Sequence, residues 1–428
     1  MEDKIRLAEK LLKDYKGDDF SFGVGCLKDI SKYVLEFGKE TLLIISQHGW
    51  AKSLRVEVKN ILIESGIKII AETGTSGENT PSEDVFALTD LIKSVKPQSI
   101  VCVGGGSAID CAKAANVLAS VDPDEKNIEQ FFGAGKVSEI MSSLGVDKLY
   151  PLIAVEIIAG SGSHITRNAN VTNIRENQKK IIMDNKIIPD RAVFDYLTTL
   201  TMPLNLTLDG AMDGFSHCLE VYYGADEKMQ DFKLVEEVCL TGIALIIDNL
   251  PSLIKNLQDE KLRKVIGIAT DLGAYALMLY GTNGAHLNSF SLIDILSHGK
   301  ACAILNPYYT VFFSPAIENK LRKIALIYGK YIKEDISKLK GKELGIAIAE
   351  AMTQFSRQIN FPVRLDEIKG FNDDHIARAI NAAKNPQLKS KLESMPVSLN
   401  ADQLDEYMRP VLEAAKTGDF SKIKIIGK

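Results

Sequence analysis

The first half of the chain alternates short apolar runs with amphipathic segments. The runs at 41–46 and 99–103 are apolar at almost every position, which is typical of strands that are buried on both faces of a sheet. Further strands are predicted at 68–71 and 152–156, a hairpin at 170–173 and around Ile181, and helices at 3–17, 26–37, 50–65, 82–95 and 107–119. Because strands and helices alternate, the pattern predicts a parallel sheet with helices on both faces.

The pattern changes after Pro189. Strand-like runs become rare, and apolar residues recur with helical spacing in the segments 208–223, 228–248, 260–280, 299–313, 315–332, 342–358, 373–382 and 402–416. Pro189 and Pro203 lie where the pattern of apolar residues changes from strand-like to helical. We therefore predict an α/β domain at residues 1–188 and an all-α domain at residues 189–428.

Composition narrows the class of protein. With 428 residues, 46% of them hydrophobic and 25% charged, the chain resembles an ordinary soluble protein of two or three domains. The net charge of −5 and the absence of a basic stripe argue against a nucleic-acid partner. The charged N-terminus is unlike a signal peptide, and no apolar run reaches the roughly 20 residues of a membrane span. The six scattered cysteines indicate reduced thiols, so we expect a cytoplasmic protein.

Residues 209–220 carry the first candidate chemistry. Asp213 and His217 are four residues apart, so on a helix their side chains point to one face. Such a pair is half of a divalent metal site, although an isolated pair is more often an exposed contact on a helix. The small apolar residues around it argue against a solvated face, and two of the six histidines follow downstream, at His286 and His298.

Two glycine-rich turns each follow a predicted strand. The first consists of Gly104, Gly105, Gly106 and Ser107, and the second, at 159–163, contains Gly160, Ser161 and Ser163. Backbone N–H groups at the start of a helix can bind a phosphate, but a tight turn without a ligand explains the first motif equally well. It is not the G-x-G-x-x-G fingerprint. Two such turns at one sheet edge favour a ligand with a pyrophosphate, and Asp110 and Lys113 follow in the first helical turns.

Four motifs in this order resemble the iron-containing (group III) alcohol dehydrogenase family. They are F-G-x-G at 22–25, G-G-G-S-x-x-D-x-x-K at 104–113, A-G-S-G-S at 159–163, and D-x-x-x-H at 213–217 with two later histidines. The family is related in fold to glycerol dehydrogenase and dehydroquinate synthase. The resemblance covers residues 20–310 and implies a dehydroquinate synthase-like architecture: an N-terminal dinucleotide-binding α/β domain, a helical C-terminal domain and a cleft between them.

The resemblance also implies roles for individual residues. The family holds its metal with one aspartate and three histidines, and the matching metal-binding and catalytic residues are Asp213, His217, His286 and His298. The ion would be Fe²⁺ or Zn²⁺. NAD or NADP would bind at the two glycine-rich turns and at Asp110, Asn79, Lys180 and Gln47.

The chain departs from the family pattern in two places. The usual P-T-T-A-G-T-G-S-E reads E-I-I-A-G-S-G-S-H at 156–164, so Ile157 and Ile158 replace two threonines that face the cofactor. His164 at its end either approaches the nicotinamide or caps a turn. Where the family often has H-x-x-x-H, this chain has His286 and Phe290, in a segment that is a little shorter than usual. The chain is therefore expected to belong to a divergent branch of the family, and its substrate should not be inferred from that of the best-known members.

The implied reaction is hydride transfer between NAD(P)H and a small aldehyde or ketone, with the metal ion as Lewis acid. A chain of water or hydroxyl groups would carry the proton, since the usual histidine is absent. Two other functions stay open: a relative of dehydroquinate synthase or glycerol dehydrogenase with another polar substrate, and a degenerate nucleotide-binding protein. The missing phosphate-binding basic residues argue against a synthase, and the four retained ligands argue against degeneration. We expect a homodimer.

Two finer expectations concern single positions. Gln47 occupies the place where many NAD-preferring members have an aspartate, so no negative charge excludes a 2′-phosphate, and NADP(H) should be accepted at least as well as NAD(H). Phe290 lies four residues after His286, and a phenyl ring there can only pack. It predicts a preference for apolar or aromatic aldehydes over polyols, unless the ring points into the helical core instead.

Overall fold

A parallel sheet of six strands lies in the first half of the chain. In sheet order the strands are β1 (Phe20–Gly23), β9 (Arg191–Asp195), β6 (Leu152–Glu156), β4 (Ser99–Gly104), β2 (Glu40–Ile45) and β3 (Lys68–Thr73). Every neighbouring pair in this sheet is parallel. A second, smaller sheet has the order β5 (Gly133–Ala134), β8 (Gln178–Met183) and β7 (Asn168–Asn173), and its β7 and β8 form an antiparallel hairpin.

Helices cover both faces of the large sheet. They are α2 (Asp29–Leu35), α3 (Lys52–Glu64), α4 (Ser82–Val95) and α5 (Gly106–Val121), and the same half also contains α6 (Lys136–Leu144). Alternate residues of β2 go to opposite layers: Leu42 and Ile44 pack with α4 and α5, and Leu43 and Ile45 pack with α2 and α3. Because both faces are buried, the strand is apolar along its whole length rather than at every second position.

The second half of the chain is helical. Its helices are α7 (Leu204–Gly224), α8 (Phe232–Leu253), α9 (Glu260–Leu279), α10 (Gly284–Ser289), α11 (His298–Phe313), α12 (Glu318–Ile327), α13 (Gly341–Gln358), α14 (Asp373–Ala383), α15 (Lys389–Glu393) and α16 (Arg409–Thr417), and α1 (Glu2–Lys16) begins the chain. α11 is buried along almost its whole length, because it packs against α10, α13 and α16. Among the described residues, no helix has both the length and the apolar character that a membrane crossing needs.

The coordinates are those of a computed structural model that describes residues 1–121, 127–173, 178–385 and 388–426. The chain divides into two compact units. One comprises Glu9–Thr207 and Leu257–Ile268, and the other comprises Met1–Ala8, Leu208–Asn256 and Ala269–Lys428. β9 lies in the sheet-bearing unit, although it follows residue 188, where the sequence predicted the domain boundary. That boundary stays a prediction.

The predicted fold class is confirmed, because an N-terminal α/β part with a parallel sheet precedes a helical C-terminal part. Two strands of the large sheet were missed. β1 was not predicted, because its segment carries the glycines of the F-G-x-G motif, and β9 was overlooked because it is short and begins two residues after Pro189. Both lie at one end of the sheet order, where β1 pairs with β9.

Candidate metal centre and glycine-rich turns

α7 and α11 approach each other closely at the start of α11. A Cβ atom added to Gly299 would lie 2.2 Å from the carbonyl oxygen of Asp209 and 2.9 Å from the Cβ of Asp213, so only glycine allows this contact. The Asp209 carboxylate accepts hydrogen bonds from the Lys300 N–H (2.8 Å) and from the Ser297 hydroxyl, which holds the N-terminus of α11 against α7. This packing carries His298 to the face of α7 that bears Asp213.

The four predicted metal ligands lie together. The Nε2 atoms of His217, His286 and His298 are 3.6, 3.7 and 3.8 Å from Oδ1 of Asp213. A tetrahedral ion with ligands at about 2.1 Å would hold them roughly 3.4 Å apart. Nε2 of His286 is buried and has no hydrogen-bond partner in the described part of the chain, as expected of an atom reserved for a metal. This donor set therefore suits Fe²⁺ or Zn²⁺.

Two further side chains orient the histidines. Oε1 of Glu220 lies 2.6 Å from Nδ1 of His286, so this ring donates from Nδ1 and turns the lone pair of Nε2 to Asp213. The Ser289 hydroxyl donates its proton to the carbonyl of His286 (2.8 Å), so it accepts from Nδ1 of His298 (3.1 Å). The same tautomer follows for both rings, in which the proton is on Nδ1 and Nε2 carries the lone pair.

Burial sets the charge states in this cluster. It lowers the pKa of His217 well below the ordinary value, and the neighbouring His286 lowers it further, so His217 is a neutral imidazole. Burial alone would raise the pKa of Glu220, but the charge of His286 and the hydrogen bonds from His286 and Asn283 lower it overall. The centre thus combines the neutral imidazole of His217, the form that binds metals, with a carboxylate that holds the ring of His286.

Sequence reasoning missed three residues of this centre. Glu220 lies three residues after His217 on the same helix face, and Ser289 lies three residues after His286, so helical spacing alone could have found both. Cys302 lies four residues after His298 on α11. One ligand atom each of Asp213, His286, His298 and Cys302 lies within 4.8 Å of the others. The sulfur is therefore close enough to compete with His217 as the fourth ligand.

Phe290 is buried directly after α10, and its ring lies 5.8 Å from the ring of His298. It therefore lines the metal cluster and is not remote from it. The Phe290 ring also lies beneath the side chain of Lys391, whose Nζ is 5.5 Å from the ring centroid.

The first glycine-rich turn packs tightly against the second. A Cβ atom added to Gly105 would lie 2.6 Å from Cδ1 of Ile158, and one added to Gly106 would lie 2.5 Å from Oγ of Ser161. Glycine is therefore required where the two turns touch. The residues predicted to meet the cofactor's phosphates, Gly104, Gly105, Gly106, Ser107, Gly160, Ser161 and Ser163, all lie in these two turns after β4 and β6.

The loop that contains Asn79 is fastened to the first turn. Asn79 has a positive φ of 60°, and its N–H donates to Oγ of Ser107 (3.1 Å). Nζ of Lys179 donates to Oδ1 of Asn79 (2.9 Å), whereas Nζ of Lys180 binds the carboxylate of Glu129. The structure therefore brings Lys179 to this loop and places Lys180 elsewhere. Neighbouring residues of a strand face opposite sides, so a shift of one position decides which lysine points to the turn.

Asp110 lies inside the protein rather than at a surface. Its carboxylate accepts hydrogen bonds from the Ser163 hydroxyl (2.5 Å) and from the Asn170 N–H (2.9 Å). Burial raises the pKa of Asp110, and the nearby Lys113 and these hydrogen bonds oppose that rise. The carboxylate thus fixes the second turn to α5, which is a positioning function.

The residues that depart from the family pattern contact one another. Oε1 of Glu156 accepts hydrogen bonds from the N–H groups of Ile157 (3.1 Å) and Ile158 (3.0 Å). Oε2 of Glu156 lies 3.3 Å from Nδ1 of His164, and both side chains are almost fully buried. His164 is packed between Phe20 and Phe194. The pair links the end of β6 to the second turn.

Lys113 is a buried cation whose removal should be costly. Nζ donates to the carbonyls of Thr166 and Asn168 (2.8 Å each), so Lys113→Met would remove a donor from one buried and one partly buried acceptor. We expect a loss of about 2–4 kcal/mol in the free energy of unfolding. Chemical denaturation at pH 7 measures this loss, and Lys148→Met, at an exposed position, is the control. Equal stability of the two variants would contradict the assignment.

The same lysine predicts a pH dependence. Burial lowers its pKa from 10.5 to about 8, although Asp110 and Glu156 favour the charged form. Between these two values the unfolded chain binds more protons than the folded chain, so this group makes stability rise with pH from about 8 to about 10.5. The rise should be smaller in Lys113→Met than in the wild type. An unchanged difference between the two proteins across this range would exclude the shift.

Comparison with known proteins agrees with the geometry. Residues 18–196 match the family model "Iron-containing alcohol dehydrogenase", and residues 207–409 match "Fe-containing alcohol dehydrogenase family, C-terminal". Alcohol dehydrogenase 4 of Saccharomyces cerevisiae (strain ATCC 204508 / S288c) is 26% identical over 355 residues, which cover 81% of this chain and 85% of that protein. NAD-dependent methanol dehydrogenase of Bacillus methanolicus is 23% identical over 364 residues, which cover 84% and 90%.

Solved structures share the fold. That of 1,3-propanediol oxidoreductase superposes with a TM-score of 0.78 at 22% identity and covers 92% of this chain and 97% of its own. That of NADH-dependent butanol dehydrogenase A from Thermotoga maritima has a TM-score of 0.75 at 22% identity and covers 94% and 98%. With both halves matched and the four candidate ligands brought together, the chain belongs to the iron-containing alcohol dehydrogenase family.

Proposed function

We propose that Asp213, His217, His286 and His298 hold the divalent ion with which this NAD(P)-linked alcohol dehydrogenase interconverts an alcohol and an aldehyde or ketone. The observation that carries the proposal is the convergence of three Nε2 atoms on Oδ1 of Asp213 at 3.6–3.8 Å. When bound, the ion supplies a Lewis acid for the substrate oxygen, and the nicotinamide supplies or accepts the hydride.

The protein positions the proposed metal ligands and buries them. Glu220 and Ser289 fix the rings of His286 and His298, so their lone pairs converge without rearrangement during the reaction. Phe290 occupies the place where a histidine would act as proton relay, and its ring has no exchangeable proton. We therefore propose that the proton reaches the substrate oxygen through water or a hydroxyl group.

For the cofactor, we propose that the phosphates bind at the turns 104–107 and 159–163. Gly105 and Gly106 let the two turns pack closely, and α5 begins at Gly106, where the first N–H groups of a helix have no partner within the helix. The short polar contacts of Asn79 with Ser107 and Lys179 support a role for this loop and for Lys179 beside the pyrophosphate. Asp110 would act by holding the second turn.

One experiment tests the assignment of reaction and metal together. The purified full chain would be stripped with a chelator, reloaded with Fe²⁺ or Zn²⁺, and assayed for NAD(P)H oxidation with a set of aldehydes. Activity that returns only with metal supports the proposal. Equal turnover in chelated and reloaded protein would show that the cluster is not the reaction centre.

The cofactor preference should follow from Gln47 and Arg55. Gln47 is exposed at the end of β2, and its Nε2 donates to the carbonyl of Ile45 (3.0 Å). Nη1 of Arg55 donates to the carbonyls of Ser46 (2.7 Å) and His48 (3.0 Å), which holds a cation beside this position. A cation without a carboxylate at residue 47 favours a 2′-phosphate, so NADP(H) should bind at least as tightly as NAD(H).

Titration of both cofactors into the protein measures that preference. Gln47→Asp should weaken NADP(H) binding at least about tenfold and leave NAD(H) binding nearly unchanged, because the new carboxylate repels the phosphate. Lys59→Met, a substitution on the same helix as Arg55, is the control. A strong preference of the wild type for NADH would refute the expectation.

We also propose that the protein acts in the cytoplasm as a homodimer. The cytoplasmic location is supported by six free cysteines, five of which are buried. The dimer is supported only by the general frequency of twofold symmetric assemblies. Light scattering after size-exclusion chromatography tests the dimer, and a monomer at micromolar concentration would exclude it.

A further inference from the structure

A lysine side chain lies beside the proposed metal centre. Lys391 belongs to the short helix α15, and its Nζ lies 5.5 Å above the centroid of the Phe290 ring. That ring in turn lies 5.8 Å from the ring of His298. The ammonium group is therefore separated from a proposed ligand by a single phenyl ring, on the side where the family often has a histidine.

The ammonium group has unused hydrogen-bonding capacity. It donates to Oγ1 of Thr282 (3.3 Å), and within the described part of the chain no carboxylate lies within 4.0 Å of it. An ammonium group has three protons to donate, so two remain. The Lys391 side chain is only partly exposed. The carboxylate of Glu220 favours its charged form but is already hydrogen-bonded to His286, so a ligand that brings its own anion would stabilise the ammonium group further.

The sum of the charges around the proposed metal centre also favours an anionic ligand. A divalent ion would balance the carboxylates of Asp213 and Glu220, and the Asp209 carboxylate lies near the Lys300 cation. Lys391 then leaves one positive charge in excess. A surplus charge in a largely buried site attracts an anion and strengthens a hydrogen bond to it.

We propose that Lys391 binds an anionic group of the substrate, so that the enzyme acts on small aldehydes and alcohols that carry a carboxylate or a sulfonate. This inference rests on the proposed function, because it places the anionic group beside the metal-bound end of the same molecule. It is opposite to the expectation from Phe290 alone, which predicted apolar or aromatic aldehydes. The Phe290 ring is instead the platform over which the ammonium group is held.

Two aldehydes of equal chain length separate the two hypotheses. Succinic semialdehyde has a carboxylate where butanal has a methyl group, and the metal-loaded full chain would be assayed with both at saturating NAD(P)H. We expect kcat/KM to be at least about tenfold higher for succinic semialdehyde, because its carboxylate can accept a charged hydrogen bond from Lys391 that butanal cannot form. A sulfonate-bearing aldehyde tests whether any anion serves.

Substitutions assign the effect to the side chain. Lys391→Met keeps the aliphatic stem and removes the charge, so it should lower kcat/KM for succinic semialdehyde about tenfold or more, mainly through KM, while butanal changes less than about twofold. Lys391→Arg should retain most of the preference for the anion. Lys389→Met is the matched control, because Lys389 lies on the same helix but is exposed and pairs with Glu393.

The outcomes distinguish this inference from the proposed function. If butanal is reduced and succinic semialdehyde is not preferred, or if Lys391→Met lowers both values equally, the anion site is refuted and the dehydrogenase assignment stands. If neither aldehyde is reduced by metal-loaded protein, the proposed function fails for these substrates. Calorimetric titration with succinate then decides the site directly. Weaker binding in Lys391→Met than in Lys389→Met supports it, and equal binding overturns it.

Discussion

Asp213→Ala and His286→Ala proteins should contain less than about a tenth of the metal of the wild type after dialysis, and their alcohol dehydrogenase activity should fall by about a thousandfold or more. Asp213 provides the oxygen on which all three Nε2 atoms converge. His286 provides a buried nitrogen that has no hydrogen-bond partner among the residues the structure describes. Removing either leaves three ligands around a buried ion. Elemental analysis of each purified protein measures the loss.

Two further variants identify the fourth ligand. Asp213, His286 and His298 are common to both possible sets, which differ in whether His217 or Cys302 completes them. We expect His217→Ala to lose the ion and Cys302→Ala to keep it. If the metal content of Asp213→Ala equals that of the wild type, the proposed metal centre is excluded. If Cys302→Ala loses the metal and His217→Ala retains it, the fourth ligand is the thiolate of Cys302 and not the imidazole of His217.

Glu220→Gln should weaken metal binding by about tenfold, and Glu220→Ala by about a hundredfold. The carboxylate lies 2.6 Å from Nδ1 of His286 and also accepts hydrogen bonds from the N–H groups of Asn283 (2.9 Å) and His286 (3.3 Å). Glutamine keeps one acceptor but loses the charge that makes the imidazole a better donor. Alanine also frees the ring to rotate.

Competition with a metal-binding dye gives the dissociation constant for each Glu220 variant. Glu237→Gln, at an exposed position of α8, controls for the loss of a carboxylate elsewhere. If Glu220→Ala binds the ion as tightly as the control, the carboxylate has no part in orienting His286, and its burial beside the ring would need another explanation.

The large-scale fold was accessible from the sequence because buried parallel strands are apolar without interruption. The run that became β2 and the one that became β4 were found for that reason. β9 could not be found in this way, since it has five residues and an arginine at its start. Its place in the sheet depends on pairing with β1 and β6, which only tertiary structure shows.

The candidate ligands were likewise accessible, because helical spacing linked Asp213 to His217 and the family motif supplied His286 and His298. The sequence could not show whether Lys179 or Lys180 faces the Asn79 loop, because that depends on the register of the β7–β8 hairpin. Lys391 was hidden for a different reason. It lies 101 residues after Phe290 in the chain, and no local pattern connects the two side chains.

The placement of the four proposed ligands has a consequence for folding. Asp213 and His217 lie on α7, His286 lies on α10, and His298 begins α11, so one ion would join three separate helices of the helical unit. A bound ion of this kind is a reversible cross-link, and its binding energy is added to the free energy of unfolding in proportion to the logarithm of its free concentration. The amount of folded protein in a cell would then depend on how much metal the cell supplies.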